Sequence, residues 1–337
     1  MGIDDASGIQ ANAVTAHGVA AARPSLSLAI ADYDRIRPLI DARVRPQGFD
    51  LAVTTDEIGQ FCVRPVYEEF DVAEMSMSWY VAARARGEPC VALPVFPLRM
   101  AVLGYLYCHR DAPYTHPREL VGKRIATPAF RYTVNVWLRG ILRDHYGLAP
   151  EQMRWFTNEA ETNQYVIPRG IDVTVVPDKP ISTLLLEGEV DAIMSPTPPP
   201  EYRRGDPEIR RLFPDARAES AAYFRNTGIY PITHTVVMHQ RLARDKPWVA
   251  AELVRAFRAS QALCDAYYQQ DPKRLSLPGA AFIVEEERRD YGANPWSHGL
   301  AGNRETVQTF IRYAHEQGYI ERPIPLEEFF ADGTLAA

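Results

Sequence analysis

At 337 residues, with 46% hydrophobic and 24% charged side chains, the chain is too long for one comfortable core and too apolar for disorder, so two globular units are expected. A formal net charge of −6 excludes broad attraction to a nucleic-acid backbone, and no apolar run reaches the length of a membrane span. Arginine outnumbers lysine, which leaves room for a small anion, because a planar guanidinium meets a carboxylate at two points.

Residues 1–24 carry Asp4 and Asp5, no basic start and no continuous apolar stretch. They read as a flexible arm and not a secretory signal, which makes the cytoplasm the expected compartment. Residues 25–31 (SLSLAIA) alternate as a strand does and lead through a loop at 33–37 to Pro38, a residue favoured at a helix start. Residues 49–54 predict a second strand, 66–70 a helical piece, and 91–96 a short buried strand between prolines. Residues 103–109 read as a further strand, after which Pro113, His116 and Pro117 mark a crossing into a second lobe.

Residues 132–146 place Val134, Trp137, Leu138, Ile141 and Leu142 at helical spacing and stop at Gly147, and Trp137 is assigned to packing. Residues 190–194 predict a strand that must end at 195–200 (SPTPPP), where prolines forbid pairing. Residues 230–239 are strand-like and carry the chain back, so two strands crossing near 105 and 235 predict a double hinge. Two amphipathic helices, 247–270 and 305–317, are expected over the first lobe. The predicted partition is an arm at 1–24, a discontinuous first lobe at 25–105 and 236–337, and a second lobe at 106–235. Cys62, Cys90, Cys108 and Cys264 show no paired spacing and read as reduced packing residues.

Six segments in one order carry a resemblance: 71–78 (DVAEMSMS), 119–128 (ELVGKRIATP), 186–192 (LEGEVDA), 229–234 (IYPITH), 294–300 (NPWSHGL) and 315–318 (HEQG). Together they resemble the 4,5-dihydroxyphthalate decarboxylases, relatives of solute-binding proteins, over residues 25–330. The LVGKRI and LEGEVDA pieces are shared widely among solute-binding proteins and speak to the fold, whereas YPITH and NPW are more particular to the decarboxylases. The resemblance implies an α/β, two-lobed type 2 periplasmic-binding-protein-like fold with a double-strand hinge and an interlobe cleft. It also implies non-oxidative decarboxylation of a hydroxylated aromatic carboxylate, 4,5-dihydroxyphthalate above all, to protocatechuate. The alternative is a non-catalytic solute-binding protein that holds an aromatic carboxylate in the same cleft.

In that fold, ligands gather at the carboxyl ends of strands, which draws attention to the loops at 33–37, 75–79, 96–99 and 128–133. Arg35, Arg99 and Arg131 are the candidates to hold carboxylates, with Thr127 or Thr133 adding donors near a helix start. Tyr33, Trp79, Phe130 and Trp296 are the candidates to stack on a benzene ring. In 4,5-dihydroxyphthalate each carboxylate lies para to a hydroxyl that pushes electrons into the ring, so loss of carbon dioxide needs a proton carrier at the ring carbon. Histidine serves near neutral pH, and His234, a strand histidine at the predicted hinge, is the first candidate, with His298 the second.

No HxH or HExxH element, glycine-rich nucleotide loop, GxSxG elbow or evident pyridoxal lysine is present, so neither metal nor cofactor is expected. The expected partner is a small aromatic carboxylate, with no nucleic acid and no membrane. Assembly as a homo-oligomer is compatible with the sequence.

Overall fold

The computed structural model describes residues 23–57, 65–161, 165, 167–270 and 272–336. All but the end of the expected N-terminal arm, and Cys62, lie outside the described residues. Cys90, Cys108 and Cys264 are buried free thiols. None of the described helices is long and apolar enough to cross a membrane.

Two sheets divide the strands. The first runs in the order β2 (Asp50–Thr54), β1 (Ser25–Ala29), β3 (Val72–Ser76), β11 (His234–His239) and β4 (Cys90–Leu93). The opening strands pair in parallel, and β11 returns antiparallel between β3 and β4, with His234 opposite Ser76. Both central strands are near-continuous runs of buried residues because both of their faces are covered. One face packs under the Pro247–Gln270 helix, whose Val249, Ala250, Leu253, Val254 and Phe257 recur at three- and four-residue spacing and meet Leu28, Val72, Val236 and Met238. Fully burying a side chain such as Leu28 or Phe257 stabilises by roughly 1.5–3 kcal/mol.

The second sheet runs β10 (Ile209–Arg211), β5 (Leu106–His109), β9 (Ala192–Met194), β6 (Arg124–Thr127), β7 (Arg154–Thr157) and β8 (Asp172–Val175). Helix Thr133–Tyr146 leaves the end of β6 and stops where Gly147 takes a left-handed conformation, φ 63°. Trp137 is fully buried on that helix and packs as expected, its Nε1–H donating to the Ile232 carbonyl at 2.7 Å.

The chain crosses between the sheets twice, and the crossings run antiparallel, with Arg99 bridged to Ile232. The Met100 amide donates to the Pro231 carbonyl at 3.0 Å, and the Thr233 amide to the Leu98 carbonyl at 3.0 Å. This is the double hinge.

Three expectations are corrected in detail. The strand expected at 103–109 begins only at Leu106, because Val102–Tyr105 form a tight 3-10 turn as the chain enters the second sheet. The strand expected at 230–239 begins at His234, because Pro231 has no amide hydrogen to extend the ladder. Helix Arg304–Glu316 packs on the Thr133–Tyr146 helix and not on the first sheet alone. The reason is shape: Trp137 meets Phe310 and Tyr313 with ring centroids 5.4 and 5.7 Å apart, and Gly140 makes room for the Tyr313 ring. Helices Ala216–Thr227 and Ala280–Tyr291 were not anticipated.

Candidate active site in the cleft

A cavity of about 860 Å³ opens between the sheets, within the range of small-molecule sites. Its walls combine Ser76 at the end of β3 and Thr233 and His234 at the start of β11 with the crossing residues Leu98, Arg99, Met100 and Tyr230. The second sheet adds Tyr105, Pro128, Thr133 and the 195–197 turn, and the helices 216–227 and 280–291 add Arg217, Ser220, Glu287 and Tyr291. Strand ends from both sheets therefore meet at one space, as open α/β architectures require of a ligand site.

His234 faces this space with its inner nitrogen engaged. Nδ1 lies 2.6 Å from Glu74 Oε1, a carboxylate of β3 that is fully buried. The same Oε1 accepts the Tyr33 hydroxyl at 2.7 Å, and Oε2 accepts the Ala31 amide at 3.0 Å. Burial pushes the Glu74 carboxyl up, but His234, the Ala31 amide and the Tyr33 hydroxyl outweigh it and hold the group below the ordinary carboxylate range. Glu74 is therefore an anion at neutral pH, and its lone pairs orient the His234 ring.

Arg99 is the cavity's buried cation, 4% exposed. Its guanidinium donates to the Tyr230 carbonyl at 3.2 Å, to the Ser297 carbonyl at 2.7 Å and to Asn303 Oδ1, while Nε has no partner. Every acceptor is neutral. Burial pulls the group down to about 9, Tyr230 opposing and Arg35 adding to the fall, so it stays charged near neutrality without a carboxylate partner among the described residues. An uncompensated buried charge is costly, and an anion bound in the cavity would offset that cost.

Thr133 also lines the cavity at the start of a 14-residue helix, with Tyr132 before it and Val134 after it in the same wall. Its hydroxyl bonds Ser76 Oγ at 2.7 Å and accepts the Ser78 amide at 3.0 Å, tying the second sheet to the first. Arg211 sits on the rim, with Tyr202 beneath its guanidinium at 5.6 Å. Arg217 is shared by Glu286 and Asp290.

Of the residues proposed from sequence, Arg99, Thr133 and His234 thus come together. Four others form a layer behind them. Arg35 lies between the rings of Tyr33 (4.2 Å) and Trp296 (4.0 Å) and donates to the Pro97 carbonyl. Trp296 in turn meets Tyr230 edge-on at 5.9 Å. His298 Nδ1 accepts the Phe96 amide at 3.1 Å, and burial, with Arg99, Arg35 and Arg258 around it, drives its imidazole down to about 3.

The remainder lie elsewhere. Arg131 is engaged by Glu159 and Glu161, and Trp79 stands 6.0 Å from that guanidinium with its Nε1–H buried and unpartnered. Phe130 is core, edge-on to Trp155 at 5.2 Å and beneath Arg139 at 3.7 Å. Thr127 accepts from the Asn135 amide group within its own turn. Among the described residues no group of three His, Cys, Asp or Glu side chains is placed to hold a metal ion.

Sequence reasoning missed Glu74, although an acid inside a strand otherwise built of apolar and small residues was a visible signal. It also missed Tyr230, Arg211 and the Glu287–Tyr291 wall.

No family model matches the chain. The 4,5-dihydroxyphthalate decarboxylase of Comamonas testosteroni is 31% identical over 320 residues, spanning 92% of this chain and 97% of that one. The protein of the same name from Pseudomonas putida is 30% identical over 210 residues, 60% of this chain and 81% of that one. Among solved structures, the periplasmic sulfonate-binding protein SsuA of Methylobacillus flagellatus matches with a TM-score of 0.59 at 14% identity over 94% of both chains. The periplasmic aliphatic sulphonate binding protein SsuA of Escherichia coli matches with a TM-score of 0.55 at 13% identity over 91% of both. At such identities the solved structures establish the two-lobed periplasmic-binding-protein fold and leave the chemistry to the site.

Proposed function

The chain belongs to the 4,5-dihydroxyphthalate decarboxylase family, and from that premise we propose that its cleft removes one carboxylate of 4,5-dihydroxyphthalate as carbon dioxide, leaving protocatechuate. One observation carries the reading: a buried arginine without an anionic partner among the described residues and a histidine backed by a buried carboxylate line the same cavity.

Arg99 and the first amides of the 133–146 helix hold a carboxylate before the reaction begins, so the charge is placed without reorganisation. The aromatic walls at Tyr230 and Tyr291 suit the flat face of the ring. The para hydroxyl of the substrate supplies the electron push, and His234 delivers the proton to the carbon that loses its carboxylate. In this reading the lobes, residues 25–105 with 236–337 and residues 106–235, close about the double hinge and exclude water from the departing group. The reading also places the protein in the cytoplasm, where free buried cysteines such as Cys90, Cys108 and Cys264 persist.

The test is incubation of the purified protein with phthalate, benzoate and their hydroxylated derivatives while carbon dioxide and ring products are measured. Carbon dioxide from 4,5-dihydroxyphthalate, in amounts equal to protocatechuate, is the expected result. Tight binding of these acids with no gas released from any of them would leave a solute-binding protein in its place.

A further inference from the structure

The histidines at positions 234 and 298 differ in their nearest charged neighbours. Burial first, and then Arg99, Arg35 and Arg258, leave the His298 imidazole neutral. Arg99 sits on the crossing strand beside His234, and Arg35 reaches the same region through its interaction with Glu74. His234, however, has Glu74 at 2.6 Å.

A wholly buried carboxylate in a central strand is a cost to the fold that an apolar residue of similar volume would avoid. Three donors from three separate segments, His234, Tyr33 and Ala31, nonetheless converge on it. Their number and fixed directions leave Glu74 no freedom to rotate, and so they fix the ring it holds.

We propose that Glu74 is the positioning residue of the reaction: it turns Nδ1–H of His234 inward and keeps the ring an imidazolium, so that Nε2–H is the proton given to the ring carbon. This rests on the decarboxylase reading of the cleft. In the step, a C–H bond forms from Nε2–H while the para hydroxyl oxygen lends its electron pair to the ring. The C–C bond to the carboxylate then breaks, its electron pair restores the aromatic ring and the oxygen lone pair, and carbon dioxide leaves. His234 ends neutral and regains its proton from water, and Glu74 is unchanged. Glu74 of β3 meets the His234 ring directly, Tyr33 from the first loop reaches the same Glu74 oxygen, and Arg35 interacts with Glu74, while Arg99 and Glu287 line the cavity that His234 faces.

Nitrogen-15 NMR of the ring nitrogens in the wild-type protein tests this without turnover. At neutral pH the His234 signals are expected to be those of an imidazolium and the His298 signals those of a neutral ring. A neutral His234 with its hydrogen on Nε2 would overturn the proposal. The Glu74→Gln variant is expected to shift the His234 titration down by more than one pH unit. It is also expected to lower kcat by about 100-fold or more, while the Kd for benzoate, which cannot lose a hydroxyl-activated carboxylate, stays within twofold. An unchanged titration, or an unchanged kcat, would equally overturn it. Because the NMR measurement needs no reaction, a wild-type protein that releases no carbon dioxide would sink the decarboxylase reading while the Glu74 arrangement is judged on its own.

Discussion

Arg99 and His234 stand on neighbouring antiparallel crossings, Arg99 bridged to Ile232 and the His234 amide donating to the Leu98 carbonyl at 3.2 Å. The pairing of the two crossings therefore places Arg99 and His234 close together at the edge of the cavity.

The first prediction concerns the cation. Arg99→Gln keeps much of the side chain's volume and removes the charge that no described carboxylate balances. The Kd for benzoate or phthalate is expected to rise at least tenfold, a change of about 1.4 kcal/mol or more, with a smaller effect on kcat. Calorimetric titration of wild type and variant at neutral pH measures it. Equal affinities would remove Arg99 from carboxylate recognition.

His298 gives a prediction about pH. Burial and three arginines take it from an ordinary 6.5 to about 3, so in the folded protein it stays neutral while the unfolded chain binds a proton below 6.5. Its contribution is thus complete above that value and is lost as pH falls toward 3. His298→Gln keeps an acceptor for the Phe96 amide and does not titrate. Between pH 7 and pH 5 the wild type is expected to lose about 2 kcal/mol relative to the variant, read by urea unfolding at both values. Turnover by the variant is expected to remain within tenfold of wild type.

Gly140 tests the packing of the two long helices. A methyl group there would lie 2.3 Å from Tyr313 Cδ2, in a ring held between Trp137 and the hydrogen bond from its hydroxyl to Asp144. Gly140→Ala should therefore destabilise the protein by about 1–3 kcal/mol, despite alanine's better helix propensity. Chemical denaturation decides it, and a variant as stable as wild type would mean the helices separate at little cost.

What was legible in the sequence follows from distance along the chain. The buried strands, the Gly147 stop and the Trp137 face could be read because alternation, helical spacing and left-handed glycine are local properties. His234 was named as a strand histidine at the predicted hinge and from the IYPITH resemblance, and it does line the cavity. Its partner was not, since Glu74 lies 160 residues away and an acid among apolar strand residues signals a buried charge without saying which distant side chain meets it. Arg131 was chosen for its loop, but Glu159, 28 residues on, occupies it. Helix 280–291 escaped notice because its outer face carries Phe282 and Ile283 in the open while Glu287 and Tyr291 turn to the cavity, so charge and hydrophobicity do not divide cleanly around it.

The most direct measurement is a single-turnover comparison of wild type and His234→Gln with 4,5-dihydroxyphthalate, enzyme in excess, following carbon dioxide and protocatechuate together. The expected result is stoichiometric release by wild type and a rate at least about 100-fold lower for the variant, with the Kd for benzoate held within a few fold. Equal rates for the two proteins would contradict the account, because no other group described at this cavity combines a buried carboxylate behind it with a ring nitrogen facing the substrate.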